Sequence, residues 1–397
     1  MMKNYFYPLI ENPYRKQDIH QAIKVLKSKK LTIGPITDQF EKLFTKKLKS
    51  KFSLMVNSGS SANLLALQCL INPYRKKRLK PGDEVLLPSL CWSTSLWPII
   101  QSGLKPKFVD IDLETLNINL EDLKKKINNK TKAILIVHVL GNCSNMDELM
   151  KIIKKNKLIL IEDTCESLGT TYKNKHLGTF GEFSSFSFYS SHQISSGEGG
   201  MICCKNADDY EILRSLRAHG WSRGLKNERK IALANKHLDS RFIFYNSGFN
   251  LRSTDIAASI GLNQFKDLNK FIISRKENRN KILSYFKKSK KIIENIRVIH
   301  ENKYVSASWF GIPILLSRKI NRNKFLKKIE KKGIETRPII SGNFLKQPSI
   351  KKYKITTKSS FKNSDYVNNH GFFIGLPTSK ISEQILKKLV GVFEESL

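Results

Sequence analysis

The chain has 397 residues, of which 40% are hydrophobic and 10% aromatic, and it carries 70 Lys and Arg against 34 Asp and Glu for a formal net charge of +36. Such a length and apolar content fit a globular protein rather than a disordered one and allow a large core in two lobes. No apolar run approaches the roughly 18–20 residues that span a bilayer; Pro8, Glu11, Asn12, Pro13 and Arg15 interrupt any signal-peptide core, and a cytoplasmic protein is expected.

In chain order, residues 18–28 and 37–48 show helical spacing, with a break at Gly34-Pro35. From residue 53, short apolar runs predict strands at Ser53–Val56, Glu84–Leu87, Lys107–Asp110, Ala133–Val137, Leu158–Glu162, Ser184–Ser187 and Met201–Cys204. Helices fit between them at Ser61–Leu70, Thr94–Ser102, Leu120–Ile127, Asn145–Lys154 and Ala207–Arg217. This alternation predicts an α/β sheet, mostly parallel and covered on both faces. An apolar helix over Ser253–Leu268 and a basic connector over Phe271–Lys287 then lead to a second lobe. That lobe has predicted strands near Ser306–Pro313 and Glu335–Pro338, and helices at Arg322–Lys332, Asn363–Asn369 and Ser382–Phe393.

The excess charge lies in short lysine clusters such as Lys27–Lys30, Lys124–Lys126 and Lys287–Lys291, spread along the chain. It reads as a solvated surface; no nucleic-acid motif accompanies it, and neither a nucleic acid nor a membrane is expected as a partner. Cys69, Cys91, Cys143, Cys165, Cys203 and Cys204 form no CxxC pair and no cluster with histidine, so no metal site and no disulfide framework is expected.

Three stretches point to chemistry. Asn57-Ser58-Gly59-Ser60-Ser61-Ala62-Asn63 follows a strand and opens a helix, where free amides and a close-approaching glycine suit a phosphate, although such turns are also plain helix caps. Ile161-Glu162-Asp163-Thr164-Cys165-Glu166-Ser167 ends another strand, at the sheet edge where α/β proteins gather ligands; a carboxylate there suits a protonated ring nitrogen, and Asp163 is the candidate. Ser184 to Gly200 runs from a strand through a hydroxyl-rich turn bearing His192 to a glycine turn. Alone, a histidine in a turn is more often a hydrogen-bonding residue than a catalyst.

Taken together and in this order, these pieces resemble the DegT/DnrJ/EryC1/StrS sugar aminotransferase family. The likeness continues through Leu31-Thr32-Ile33-Gly34-Pro35, Phe40-Glu41, Gly178-Thr179-Phe180-Gly181, Gly197-Glu198-Gly199-Gly200, Gly248-Phe249-Asn250 and Arg337-Pro338. It implies the fold-type I architecture of pyridoxal-phosphate aminotransferases, with an N-terminal segment and large domain over 1–268 and a connector and small α+β domain over 269–397. It also implies an obligate homodimer with shared active sites.

The departure from the family is His192, which stands where aminotransferases carry the lysine that joins the cofactor covalently. A branch of nucleotide-sugar 3-dehydratases shares it, and Cys91-Trp92-Ser93-Thr94-Ser95, Arg217-Ala218-His219-Gly220-Trp221 and the run from Arg337 to Leu345 resemble that branch. The branch implies a lyase holding pyridoxal or pyridoxamine phosphate non-covalently, with glutamate as amino donor. It would remove the C3 hydroxyl of a nucleotide-linked 4-keto-6-deoxyhexose during surface-glycan synthesis, and overall likeness favours GDP over CDP. The interval between Trp221 and Asn250 has no cysteine, so the iron–sulfur version is not expected. Carried over residue by residue, His192 is the base. Gly59, Ser60 and Ser187 meet the phosphate, Asn250 reaches it from the partner chain, Asp163 holds the ring nitrogen and Trp92 stacks on the ring. Glu166, His219 and Arg223 lie near cofactor or substrate, and Arg337 takes the glutamate carboxylate or is a structural ion pair. An aminotransferase working through another lysine, and a non-catalytic family member, are the competing readings.

Overall fold

The structure, a computed structural model, describes residues 5–357 and 359–397. Seven strands form the main sheet, in the order 52–56, 200–204, 183–187, 159–163, 131–137, 84–88, 105–109. Gly200–Cys204 runs antiparallel to both neighbours and the other six strands are mutually parallel. The exception has a local cause: the chain leaves Phe183–Ser187 and returns through the glycine turn without a crossover helix, which only an antiparallel pair permits. Phe188 and Gly199 close that turn (N···O 2.9 Å), and Gly197 bends it with φ 84°.

The strands are near-continuous apolar runs because helices cover both faces. Helices Gly59–Ile71, Met146–Lys155 and Ala207–Arg217 belong to the large core. On the side of Phe186 and Phe188, helices Pro35–Leu48 and Asp255–Lys266 bring Phe40, Phe44 and Phe265 into a second cluster; Phe44 and Phe265 stack at 4.9 Å between centroids. Phe186 and Phe188 point into this cluster, which leaves Ser185 and Ser187 on the opposite face, as the two-residue strand period requires.

Leu268–Phe286 is the connector helix. Beyond it, Ile296–Val298, Gly311–Leu316, Gly371–Gly375 and Thr336–Arg337 form an antiparallel sheet in that order. The single strand expected at Ser306–Pro313 is two, Val305–Ser306 and Gly311–Leu316. Val305–Ser306 pairs with Thr171–Tyr172 in a separate sheet, and residues 307–310 pass from it to the small-lobe sheet, with the Ser308 amide donating to Thr170 Oγ1 (3.0 Å) on the way. The N-terminal end packs on this second lobe: Tyr7 donates its hydroxyl to the Gly375 carbonyl (3.0 Å) and the Leu9 amide meets Glu335 (2.9 Å). No helix among the described residues is long and apolar enough to cross a membrane.

Candidate active site

The carboxyl ends of the parallel strands share one edge, and four of the turns that follow them carry the candidate residues. After Val56, Ser58 caps helix Gly59–Ile71 by accepting the Ser61 amide, so the amides of Gly59 and Ser60 remain free as first-turn donors. Gly59 is required by packing: a Cβ there would lie 2.7 Å from both Cys165 Sγ and Ser187 Cβ. The glycine thus joins the phosphate turn, the Asp163 turn and the end of Phe183–Ser187 in one place. Gly200 approaches the same turn so closely that a Cβ would overlap the Ser58 carbonyl. Ser60 Oγ donates to Thr94 Oγ1 (3.3 Å), which brings helix Ser93–Gln101 alongside.

Asp163 ends strand Ile159–Asp163 and is buried. Four donors converge on it: Asn63 Nδ2 (2.8 Å) and Ser95 Oγ (2.9 Å) on Oδ2, and the Cys165 amide (3.2 Å) and Ser185 Oγ (3.4 Å) on Oδ1. Acceptor-only carboxylate oxygens are what such a set satisfies. Its neighbour Glu162 faces away, taking the amides of Gly178, Phe180 and Gly181 and pairing with His138 Nε2 at 3.0 Å. Burial alone would raise Glu162, yet His138 and these amides hold it below the usual carboxylate range. Trp92 precedes helix Ser93–Gln101, one turn before Ser95, and is 55% exposed.

His192 sits in the turn after Phe183–Ser187, its amide bonded to the Tyr189 carbonyl (3.0 Å). Its Nδ1 is buried without a hydrogen-bond partner among the described residues. Burial pushes the imidazole down to about 4; the Ser187 backbone and Asp163 oppose this, and Arg275 adds to it. Next to it, Gln193 Nε2 donates to the Glu166 and Ser308 backbone carbonyls, and the Gln193 backbone carbonyl receives Arg275 Nη1 (3.2 Å). Glu166 therefore lies against the histidine turn, with its carboxyl receiving the Leu140 amide (2.8 Å).

Gly59, Ser60, Asp163, Glu166, Ser187 and His192 thus come together. Asn250, His219 and Arg223 do not join them within the chain. They belong to the segment after helix Ala207–Arg217, where His219 Nε2 meets Arg252 Nη2 (3.2 Å) and Asn250 Oδ1 accepts from Arg252 Nε (3.1 Å). Asn250 and Arg223 are exposed, though the Leu251 carbonyl takes the Asn57 amide of the phosphate turn (3.0 Å). Arg337 is exposed and pairs with Glu335 at 3.0 Å. Asn63, Ser95, Gln193 and Arg275 were not singled out from the sequence. Asn63 carried a signal, since it stands one helical turn after Gly59 on the same face; the others depend on contacts between distant segments.

This edge suits a phosphorylated pyridine cofactor. It offers free amides at a helix start, a glycine cradle that a Cβ would fill, a buried carboxylate, and buried polar atoms without partners among the described residues, Asn63 Oδ1 and His192 Nδ1 among them. No group of three or more His, Cys, Asp or Glu placed to hold a metal occurs among the described residues.

Similarity to known proteins agrees with this geometry. GDP-4-keto-6-deoxy-D-mannose 3-dehydratase of Escherichia coli O55:H7 is 38% identical over 384 residues, 96% of this chain and 97% of the relative. The solved structure of the E. coli enzyme with bound hydrated PLP superposes with a TM-score of 0.91, at 37% identity over 98% of this chain and all of that one. A structure of a variant of this dehydratase with bound GDP-perosamine gives 0.90 at 37% identity, again over 98% of this chain and all of that one. The DegT/DnrJ/EryC1/StrS aminotransferase family model matches residues 13–390, and the chain belongs to that family.

Proposed function

We propose that the protein is a coenzyme B6-dependent lyase that removes the C3 hydroxyl of GDP-4-keto-6-deoxy-D-mannose, with glutamate as amino donor, in the cytoplasm. The observation that carries this is His192. Residues 188–200 contain no lysine, and the residue of that turn beside the Asp163 edge is an imidazole, which moves protons but forms no lasting covalent bond to an aldehyde. The 3-dehydratase relatives support the reaction, and the GDP-perosamine bound to one of them supports the nucleotide.

Pyridoxamine phosphate held at this edge supplies an amino group for the C4 ketone and an electron-withdrawing ring. The amides of Gly59 and Ser60 and the Ser187 hydroxyl hold the phosphate. Asp163, fixed by its four donors, meets the ring nitrogen as an anion. Trp92 covers one face of the ring and limits water. His192, neutral at pH 7 because burial depresses its pKa, takes the proton from the carbon that bears the cofactor amine. Asn250 of a second copy completes the phosphate shell, so that the working form is a homodimer. His219 and Arg223 meet the nucleotide sugar, and Arg337 exchanges Glu335 for the glutamate carboxylate.

The test is to mix the protein with pyridoxal phosphate, glutamate and GDP-4-keto-6-deoxymannose, and to follow ammonia and sugar mass together. Loss of the C3 oxygen with ammonia release, abolished in His192→Asn, is expected. Nitrogen retained in the sugar would make the protein an aminotransferase, and turnover of the CDP-linked sugar alone would move the nucleotide.

A further inference from the structure

Two carboxyl groups lie three residues apart at this edge, in opposite surroundings. Asp163 receives four donors. Glu166 receives one, the Leu140 amide on Oε2; among the described residues no cation pairs with it and Oε1 has no hydrogen-bond partner. The single donor is held deliberately. Leu140 has φ 52°, a left-handed conformation that leucine rarely adopts. Beside it, Gly141 is packed so tightly that a Cβ would lie 2.6 Å from the Ser308 carbonyl oxygen. The Glu166 backbone carbonyl accepts from the side chain of Gln193, the residue next to His192. With Oε2 occupied as an acceptor, a proton on Glu166 resides on Oε1.

Titratable groups surround it on each packed element. Asp163 and Cys165 lie on its own segment, His138 and Glu162 next to the 139–141 turn, and His192 and Arg275 on the turn and helix joined through Gln193. Burial is the main influence on Glu166 and raises its pKa to about 8; the Leu140 amide opposes this and Asp163 adds to it. Environments this different give the two carboxyl groups different roles, Asp163 as a fixed acceptor and Glu166 as a proton donor.

We propose that Glu166 is a second catalytic residue, a neutral carboxylic acid that protonates the departing C3 oxygen while His192 serves as the base. This rests on the dehydratase reading above. The C3–O bond breaks with its electron pair on oxygen, the Oε1 proton converts the leaving hydroxide to water, and the electrons come from the C–H bond whose proton passes to His192. His192 then releases its proton to solvent, and Glu166 takes one back.

The test compares Glu166→Gln with the wild-type holoenzyme on the GDP sugar and on its 3-fluoro analogue, whose leaving group needs no proton. On the natural substrate the variant should lose ~100-fold or more in kcat, with fluoride release within about threefold of wild type. Wild-type kcat should fall as pH rises through about 8, where the acid form is lost, and that limb should vanish in the variant. In cofactor-free protein, carbon-13 NMR of labelled glutamate should show one carboxyl titrating near 8, absent from Glu166→Gln. Equal losses on both substrates, an unaffected variant, or a Glu166 carboxyl titrating at the ordinary value would each overturn the assignment. A wild-type protein that dehydrates neither sugar overturns the function on which it rests, an outcome distinct from those three.

Discussion

The Asp163 edge and the segment from His219 to Arg252 are built in different ways. At the first, every polar group of Asp163 is engaged by three separate elements, and the turn glycines leave no room for adjustment. In the second, the side chains of Asn250 and His219 are hydrogen-bonded, among the described residues, to Arg252 alone, and Asn250 and Arg223 face solvent. A half whose carboxylate is already fixed in place and an open half whose side chains await an occupant are what a cofactor pocket completed by another chain requires. The largest test of this contrast is Asp163→Asn. An amide cannot supply the negative charge, and its NH2 group faces donors. The expectation is a loss of ~1,000-fold in kcat, with weakened cofactor binding seen by fluorescence titration. A variant that turns over normally would leave the converging donors without a catalytic purpose.

A smaller effect tests the open half. Asn250→Asp places a carboxylate where a phosphate is expected, and activity should fall ~10- to 100-fold. Co-expressed with His192→Asn, it should recover about a quarter of wild-type activity, because each mixed dimer holds one site with neither change. Recovery no greater than the sum of the two variants would mean that Asn250 serves its own chain.

The preorganised half was the legible half. Its phosphate turn, Asp163 and His192 follow strand ends that local apolar runs predict, and turns of this kind carry their own residue signatures. What was not legible depends on distant pairing. Gly371–Gly375, GFFIG in sequence, is a central strand of the small sheet, pairing with both Gly311–Leu316 and Thr336–Arg337. Its five residues have no alternation, because both faces are buried. Helix Glu228–Ala234, in the open segment, also went unpredicted; it has one buried residue, Ile231, and thus little apolar period to read. Ser95 looked like one hydroxyl in a short Ser/Thr run, and only the approach of helix Ser93–Gln101 to strand Ile159–Asp163 gives it a partner.

Ser95 provides the finest test, because it shares an acceptor. Ser95 and Asn63 both donate to Oδ2 of Asp163. Ser95→Ala removes one donor from a buried carboxylate that retains three, and a charged hydrogen bond of this kind is worth about 1.5–3 kcal/mol. The loss should appear as a stability decrease on that order in denaturant titration and as a ~3- to 10-fold fall in kcat. Asn63→Ala should act in the same direction. The informative quantity is the double variant: if the two donors fix one oxygen together, their effects will not add, and a coupling of about 0.5–2 kcal/mol should remain in the cycle. Strict additivity would mean that each bond holds its own helix in place and that neither orients Asp163, and the preorganisation of this edge would then rest on the Cys165 amide and Ser185 alone.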